Sequence, residues 1–150
     1  MAFNIVLFEP EIPNNTGNIG RLALATGSRL HLVKPFGFEL NDSRVKRAGL
    51  DYWKHIDLCI YESVDDFYEI HKDKDIVYFS SHGTKEHWSI DYLDDMFLVF
   101  GKESVGLSEE IIKSNTDKLY KIPLYSTQIR SLNLANSVAI AVYEGLKNIQ

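Results

Sequence analysis

The sequence contains a single cysteine, Cys59, among its 150 residues, and this scarcity excludes two kinds of structure. One cysteine can form neither an internal disulfide nor a cysteine-based zinc site. In the segment HIDLCIY, Cys59 alternates with its neighbours as a strand residue does, so we expect a buried and unreactive thiol. No H-E-x-x-H motif occurs among the five histidines, and the sequence therefore predicts no metal site.

Long hydrophobic runs are also missing. No apolar stretch approaches the roughly 20 residues that span a membrane. The beginning, MAFNIVLFEP, has neither the basic flank nor the small-residue cleavage site of a signal peptide. We therefore expect a soluble cytoplasmic protein. With 45% apolar residues, the chain is long enough to bury a core as one domain spanning residues 1–150.

Positive charge is in short supply. The formal net charge of −5 argues against a large nucleic-acid footprint but leaves room for a local one. The segment DSRVKRAG gathers Arg44, Lys46 and Arg47 within four residues. Taken alone, such a patch is more simply explained as the solvated face of a helix.

Short apolar segments alternate with amphipathic ones along the whole chain. Strands are predicted at residues 3–8, 29–33, 55–61, 75–81, 96–101 and 118–124. Helices are predicted at residues 16–27, 43–49, 63–72, 108–114 and 132–150, with N-caps at Asp42 or Ser43, at Ser63 and at Ser108, and with Gly27 ending the first helix. This alternation indicates an α/β fold with a mostly parallel sheet flanked by helices.

Three predicted loops after strands carry unusual residues, and such loops hold the ligands of parallel sheets. They are EPEIPNNTGNIGR (9–21), GKESVGLSEE (101–110) and LYSTQIRSLNLAN (124–136). The glycines of GKESVG are spaced as in a phosphate-binding P-loop, but Leu107 and Ser108 follow instead of Lys and Ser or Thr. The dinucleotide-binding pattern G-x-G-x-x-G is absent. The usual nucleotide-binding motifs are therefore excluded.

The last predicted helix carries two stripes on different faces. The apolar stripe consists of Leu134, Val138, Ala141 and Val142, and the second consists of Asn133, Asn136, Ile140 and Tyr143. In the first helix, Asn18 and Arg21 share a face that is opposite the apolar one. Capping, packing and surface ion pairs explain each of these features singly. Their joint placement near strand ends is what indicates a site.

Three segments, taken in order, resemble the signature motifs of the SPOUT superfamily of RNA methyltransferases. They are NIVLFEPEIPNNTGNIGRLALATG, FGKESVGL and IPLYSTQIRSLNLANSVAIAVYE. The chain is most similar to the small single-domain YibK/TrmL-type enzymes, and the resemblance covers essentially its whole length. It implies a deep trefoil knot in the C-terminal part, a homodimer, and S-adenosylmethionine as cofactor. It also implies methylation of the ribose 2′-hydroxyl of the wobble nucleotide, a cytidine or modified uridine, in leucine tRNAs.

The resemblance assigns roles to residues that match the motifs. Catalysis would involve Arg21, Glu103, Asn133 and Tyr143. The cofactor would contact Phe79, Gly101, Gly106, Ile122, Leu124 and Ser131, largely through backbone. The RNA would contact Asn14, Asn18, Arg44, Lys46, Arg47 and Arg130. Two roles for Arg21 stay open: a general base, or a cation that activates the hydroxyl or clamps a phosphate.

One departure from the family pattern is Val105, which stands where many relatives carry a polar residue or an arginine. It removes a possible RNA contact and leaves the exact substrate open. One alternative is a SPOUT methyltransferase that acts on another tRNA position or on ribosomal RNA. A non-catalytic RNA-binding or assembly protein, or a flavodoxin-like nucleotide-binding domain, would be of a different class.

Overall fold

The computed structural model describes residues 2–150, apart from the side chains at positions 46 and 49–51. Its strands are β1 (Asn4–Phe8), β2 (Arg29–Val33), β3 (Leu58–Tyr61), β4 (Ile76–Phe79), β5 (Lys85–Glu86), β6 (Phe97–Phe100) and β7 (Leu119–Lys121). Its α-helices are α1 (Pro13–Ala25), α2 (Ser43–Gly49), α3 (Val64–His71), α4 (Glu109–Ser114) and α5 (Leu134–Ile149). Short 3-10 helices occupy Leu50–His55, His87–Ser89 and Thr116–Lys118.

The seven strands form one sheet in the order β3-β2-β1-β6-β4-β7-β5, and every described pair is parallel. The predicted α/β fold with a parallel sheet is therefore confirmed. Strand β1 lies beside β6 although about ninety residues separate them in the chain. Because all strands run the same way, the loops that follow them emerge at a single edge of the sheet.

Helices cover both faces of the sheet. On one face, Ile19 and Ala23 of α1 and Val138 of α5 pack against the strands. On the other face, Phe67 of α3 is fully buried, and α4 adds partly buried isoleucines. Burial on both faces explains why the central strands β1, β4 and β6 are mostly apolar. Within residues 2–150, no helix combines the length and apolar character that a membrane crossing needs.

Strand β7 lies between β4 and β5, which follow each other directly in the chain. The connection at residues 80–84 crosses β7 closely, since the Ser80 amide donates to the Tyr120 carbonyl over 2.9 Å. A Cβ on Gly83 would lie only 2.5 Å from the Tyr120 carbonyl carbon, so only glycine fits at this crossing. An earlier segment of the chain thus packs closely across the last strand.

Local signals placed most helix ends correctly. The Ser63 and Ser108 hydroxyls accept from Asp66 N and Ile111 N and cap α3 and α4 as predicted. Asp42 is the residue that caps α2, through its contact with the Arg44 amide at 2.8 Å. Asn133 caps α5, which begins at Leu134, two residues later than expected.

Helix α1 begins at Pro13, three residues before the predicted start, so part of the expected loop is helical. Ile12 occupies its N-cap position and offers no side-chain cap, which removed the usual sequence signal. The last strand ends at Lys121 rather than at residue 124. The strand β5 and the 3-10 helices were not predicted. The expectation of a buried Cys59 was also wrong, because β3 is an edge strand and leaves the thiol partly exposed.

A chain of hydrogen bonds between polar side chains runs through the core. Asn4 Nδ2 donates to the Asp95 carbonyl, so Asn4 Oδ1 is free to accept from His31 Nε2 at 2.8 Å. His31 Nδ1 then accepts from the Tyr61 hydroxyl, whose oxygen accepts from His71 Nε2, each over 2.8 Å. In this order His31 accepts at Nδ1 and is therefore neutral, whereas His71 only donates from Nε2. Burial lowers the pKa of His31 to about 3 and also lowers the pKa of His71.

As the pH is lowered, the fold should therefore begin to lose stability at a pH at which the carboxylates are still ionised. The unfolded chain binds a proton at each histidine near pH 6.5, whereas folded His31 stays neutral down to about pH 3. The contribution of the neutral histidines to stability is thus fully present above pH 6.5. Below that pH, we expect the free energy of unfolding to fall by on the order of 1 kcal/mol per pH unit for each such histidine. Urea unfolding at pH 5.0–7.0 measures this slope.

The matched variants for that experiment are His31→Gln, which removes one buried histidine, and His82→Gln, which changes an exposed one. The first should show a clearly shallower slope between pH 5 and 6.5, and the second should keep the wild-type slope. Equal slopes in all three proteins would contradict the neutral His31.

Candidate active site

Loops that carry the unusual sequence motifs meet at the carboxyl edge of the sheet. Residues 9–12 follow β1 and residues 101–108 follow the adjacent β6. The third loop, residues 122–133, follows β7 and leads into α5. The parallel sheet thus brings together three segments that lie far apart in the sequence.

A single carboxylate joins two of these loops. Glu103 Oε1 accepts from the Glu11 amide at 2.8 Å, and Glu103 Oε2 accepts from the Ile12 amide at 2.9 Å and from Asn15 Nδ2 at 3.2 Å. Two of these donors are backbone N–H groups at the start of α1, where a helix has no internal acceptors. The negative charge also complements the positive end of the helix dipole. Glu103 thus caps α1 from a neighbouring loop by binding the amides of the N-cap residue, Ile12, and of Glu11 before it.

Two further contacts link the same pair of loops. Glu11 Oε1 accepts from the Ser104 amide at 2.8 Å, and this hydrogen bond holds the pKa of the Glu11 carboxyl below its usual value. Lys102 Nζ lies 3.1 Å from Glu9 Oε1. Glu9 itself has a φ of 57°, in the left-handed region that is uncommon for a residue with a side chain. The two loops thus clamp each other reciprocally.

Asn15 extends the connection to the third loop. Its Oδ1 accepts from Asn133 Nδ2 at 3.1 Å, while Asn133 Oδ1 accepts from the Asn136 amide and caps α5. Asn15 is buried, with 6% of its surface exposed, so its amide orientation is fixed by these partners. A polar relay from Glu103 through Asn15 to Asn133 therefore sets the position of α1 relative to α5.

Beside this relay, α1 and α5 enclose an open cleft with a volume of about 420 Å³. Its lining is polar at one end and small and apolar at the other, and consists of Asn15, Asn18, Arg21, Leu22, Ala25, Asn133, Ala135, Asn136 and Ala139. The structure thus brings together three of the predicted site residues, Asn18, Arg21 and Asn133. Asn15 was missed, because neither its burial nor its partners in two distant loops can be seen in the local sequence.

Arg21 is the cation of this cleft. Its side chain is exposed, and its guanidinium carbon lies 5.1 Å from the ring centre of Tyr52. Among the described side chains, no carboxylate lies within ion-pair distance of Arg21. Its N–H groups are therefore available to an anionic or polar ligand in the cleft.

Three of the six predicted cofactor residues lie at neighbouring strand ends. Phe79 is the last residue of β4, Gly101 follows β6, and Ile122 follows β7, which lies on the other side of β4. The Phe79 ring is buried and stacks on Phe100 with a centroid distance of 4.6 Å, so a ligand reaches Phe79 through its backbone. Ile122 and Leu124 are half-buried apolar side chains beyond β7. Ile122 and Leu124 thus add apolar side chains beside the buried ends of β4 and β6.

Glycine is required at position 101. A Cβ there would lie 2.2 Å from the carbonyl carbon of Gly106, because the loop folds back on itself between Lys102 and Gly106. Gly106 has a φ of 72°, and it lines a second cavity of about 570 Å³ that opens toward α3 and α4. The other predicted cofactor residues do not line that cavity. Ser131 is exposed in the third loop.

Other predicted residues lie outside the cleft of this single chain. Tyr143 is 55% exposed on α5, one turn beyond Ala139, and Asn14 is exposed on α1 without lining the cleft. Glu103 was expected to orient the motif loops or the arginine, and its hydrogen bonds go to the loops. Val105 is 74% exposed at the turn of the second loop.

The predicted RNA-binding cations are at the surface. Arg44 pairs with both carboxylate oxygens of Asp42, at 3.2 and 3.0 Å, so an acidic partner offsets its charge. Arg47 and Arg130 are exposed, whereas the side chain of Lys46 lies outside the described part of the structure. In that described part, no cluster of three or more His, Cys, Asp or Glu side chains is arranged to hold a metal ion.

Removing the Glu103 carboxylate should weaken the fold. Glu103→Ala leaves the Glu11 and Ile12 amides and the Asn15 amide group without their acceptor, which should lower the free energy of unfolding by about 2 kcal/mol. Glu103→Gln keeps one acceptor oxygen and should lose about half as much. Urea unfolding at pH 7 measures both values. In the control, Glu62→Ala, an exposed pair with Lys34 is lost and the change should stay within about 0.5 kcal/mol. A similar loss in Glu62→Ala and Glu103→Ala would refute the capping role.

Comparison with known proteins identifies relatives along nearly the whole chain. The profile of the SpoU rRNA Methylase family matches residues 2–143. A putative tRNA (cytidine(34)-2′-O)-methyltransferase from Geobacillus stearothermophilus is 42% identical over 150 residues, which cover 98% of this chain and 95% of that protein. The AdoMet-bound rRNA methyltransferase from Sinorhizobium meliloti shares the fold, with a TM-score of 0.88 at 24% identity over 99% of this chain and 57% of that one.

A more similar solved protein was studied for 2-OH methylation of C/U34 on tRNA. It superposes with a TM-score of 0.93 at 40% identity and covers 98% of this chain and 95% of its own. These relatives confirm the resemblance to the SPOUT RNA methyltransferases that the motifs indicated. They exclude the flavodoxin-like alternative. On this similarity in both sequence and structure, the chain belongs to the SpoU rRNA Methylase family and is a methyltransferase.

Proposed function

We propose that this protein transfers a methyl group from S-adenosylmethionine to the ribose 2′-hydroxyl of the wobble nucleotide, position 34, of leucine tRNAs. The observation that carries the proposal is the cleft in which Arg21 and Asn18 of α1 face the asparagines of α5, beside the junction of the three motif loops. Relatives named for cytidine(34) 2′-O-methylation match almost end to end, which supports the choice of substrate.

The residues at the ends of β4, β6 and β7 fit S-adenosylmethionine. An adenine ring needs an apolar wall and backbone hydrogen-bonding groups. Ile122 and Leu124 supply apolar side chains, and the backbone that follows β4 and β6 lies at the same edge of the sheet. When bound, S-adenosylmethionine supplies a methyl group that is already activated by its sulfonium centre. The task left to the protein is therefore to position the ribose and to stabilise its 2′-oxygen as the hydroxyl proton leaves.

Arg21 is suited to this task as a cation. Guanidinium groups stay protonated in proteins, so a proton-accepting arginine is chemically costly. A guanidinium beside the 2′-hydroxyl stabilises negative charge on the oxygen, and the proton passes to water. The same planar group can hold the adjacent phosphate through two parallel hydrogen bonds. Asn18 and Asn133, on either side of the cleft, are placed to hold the nucleotide.

We further propose that residues 1–150 form one methyltransferase domain, that this domain contains a trefoil knot and that the protein is a homodimer. Ile140 and Tyr143 expose 40% and 55% of their surface on one stripe of α5, which supports packing of this helix in a homodimer. Tyr143 would then act next to a partner's site. The position of β7 between β4 and β5, with the 80–84 connection closed over it, supports a trefoil knot.

Methyl transfer with labelled S-adenosylmethionine tests the function. We expect label on the wobble ribose of leucine tRNA, and a loss of at least about 10²-fold in kcat/KM for Arg21→Ala. Arg21→Lys keeps the charge but not the planar fork, so a loss close to that of Arg21→Ala would assign the bidentate clamp, and near-normal activity would assign the charge alone.

Arg29→Ala and Arg29→Lys are the matched controls, because Arg29 pairs with Asp57 at the start of β2, away from the cleft. Both should retain activity. Label on ribosomal RNA but not on tRNA would refute the tRNA substrate while leaving methyl transfer intact. No label on any RNA, including fully modified tRNA from cells that lack the enzyme, would overturn the catalytic proposal and favour the non-catalytic alternative.

Gly101→Ala tests the cofactor site separately. The added Cβ forces the 101–106 loop away from its closed form, so we expect S-adenosylmethionine to bind at least about tenfold more weakly by titration calorimetry. The control is Gly145→Ala, where a Cβ would meet the Phe3 ring at 2.5 Å in the core. That variant should lose stability yet keep its affinity below its unfolding temperature. Equal affinities of wild type and Gly101→Ala would contradict the assignment.

A further inference from the structure

The Tyr52 ring is the described group that faces the Arg21 guanidinium. The guanidinium carbon lies 5.1 Å from the ring centre, within the range in which a cation is attracted to the face of an aromatic ring. Tyr52 lies in the 3-10 helix Leu50–His55, which follows α2. No sequence motif connects this helix with Arg21, and the resemblance assigned no role to Tyr52.

The 3-10 helix that carries the ring packs against α1 at Gly20, the residue before Arg21. A Cβ on Gly20 would lie 2.8 Å from Trp53 Cζ3 and 2.7 Å from Ile56 Cδ1, so both side chains sit directly on the bare backbone of α1. Trp53 and Ile56 are also packed against the main core. The 3-10 helix that carries Tyr52 is therefore fixed against α1, although 41% of the surface of Tyr52 itself is exposed.

Contact through a ring face has a chemical consequence for the arginine. A carboxylate partner would occupy N–H donors of the guanidinium and offset its charge. An aromatic face attracts the cation without accepting its in-plane N–H groups. The arginine is thus restricted to few conformations while its charge and its donors stay available to the cleft. Because long side chains lose much rotamer freedom when they bind, restriction before binding favours the reactive arrangement.

We propose that Tyr52 is a positioning residue that holds Arg21 through its ring face in the conformation used for methyl transfer. The inference rests on the proposed function of Arg21, but its structural half stands on the contact alone. It predicts that the aromatic ring of Tyr52, and not its hydroxyl, is needed to position Arg21.

The kinetic test compares Tyr52→Phe, which keeps the ring, with Tyr52→Leu, which removes it. Tyr52→Leu should lower kcat about five- to tenfold with little change in KM for tRNA, whereas Tyr52→Phe should stay within about twofold of wild type. In the Arg21→Ala background, Tyr52→Leu should cause no further loss, because its effect passes through the arginine. Trp88→Leu, which removes an exposed ring outside the cleft, is the control and should keep full activity.

Two kinetic outcomes would overturn the inference. An equal loss in Tyr52→Phe and Tyr52→Leu would place the function in the hydroxyl. A loss in Tyr52→Leu that is as large in Arg21→Ala as in wild type would mean that Tyr52 acts by itself, for example by stacking on an RNA base.

An NMR measurement separates this inference from the proposed function, because it needs no activity. The ring current of Tyr52 should shift the side-chain proton resonances of Arg21 upfield, and the shift should persist in Tyr52→Phe and vanish in Tyr52→Leu. Unshifted Arg21 resonances in the wild type would overturn the inference even if methyl transfer is observed. A shifted Arg21 in a protein that methylates no RNA would refute the catalytic proposal and leave the positioning contact standing.

Discussion

The arrangement of the candidate site depends on the carboxylate of Glu103. A helix start needs acceptors for its first N–H groups, and α1 has none of its own at Ile12. Glu103 supplies them from the neighbouring loop and also fixes Asn15, which in turn fixes Asn133 at the start of α5. The two helices that line the cleft are therefore joined at their N-terminal ends by one polar relay. Pro13 at the first helical position favours the start of α1 locally, but without the relay the orientation of Asn15 has no local cause.

The site combines this rigid relay with an arginine that the relay does not contact. Glu103 and the asparagines satisfy one another, which costs little in a buried setting because each polar group has a partner. Arg21 instead lies against an aromatic ring and keeps its charge unneutralised by described side chains. In a chain with net charge −5, where Asp42 offsets Arg44, such a cation is valuable to any site that receives an anionic ligand.

The sequence by itself determined the elements whose signals are local. Short runs of mainly apolar residues predicted β1, β2, β4 and β6, because strands buried on both faces are mostly apolar. Serine caps placed α3 and α4 correctly, since a cap acts within three residues of itself. The order of the three motifs also determined the family. With a parallel sheet predicted, the motif loops could be assigned to one edge, and Asn18 and Arg21 to one helix face.

Only the tertiary structure decided which distant residues complete the site. Helix α1 starts at Pro13, and Glu103, which binds the amide before it, lies about ninety residues further along the chain, where no local pattern could reveal the contact. Asn15 is oriented by two such distant partners, Glu103 and Asn133. Tyr52 contacts Arg21 because Gly20 leaves room for the 3-10 helix to pack against α1. Propensity and periodicity act over a few residues, whereas these contacts arise when the sheet folds. For that reason the sequence determined most of the secondary structure and the residue types of the site, and the fold decided the geometry.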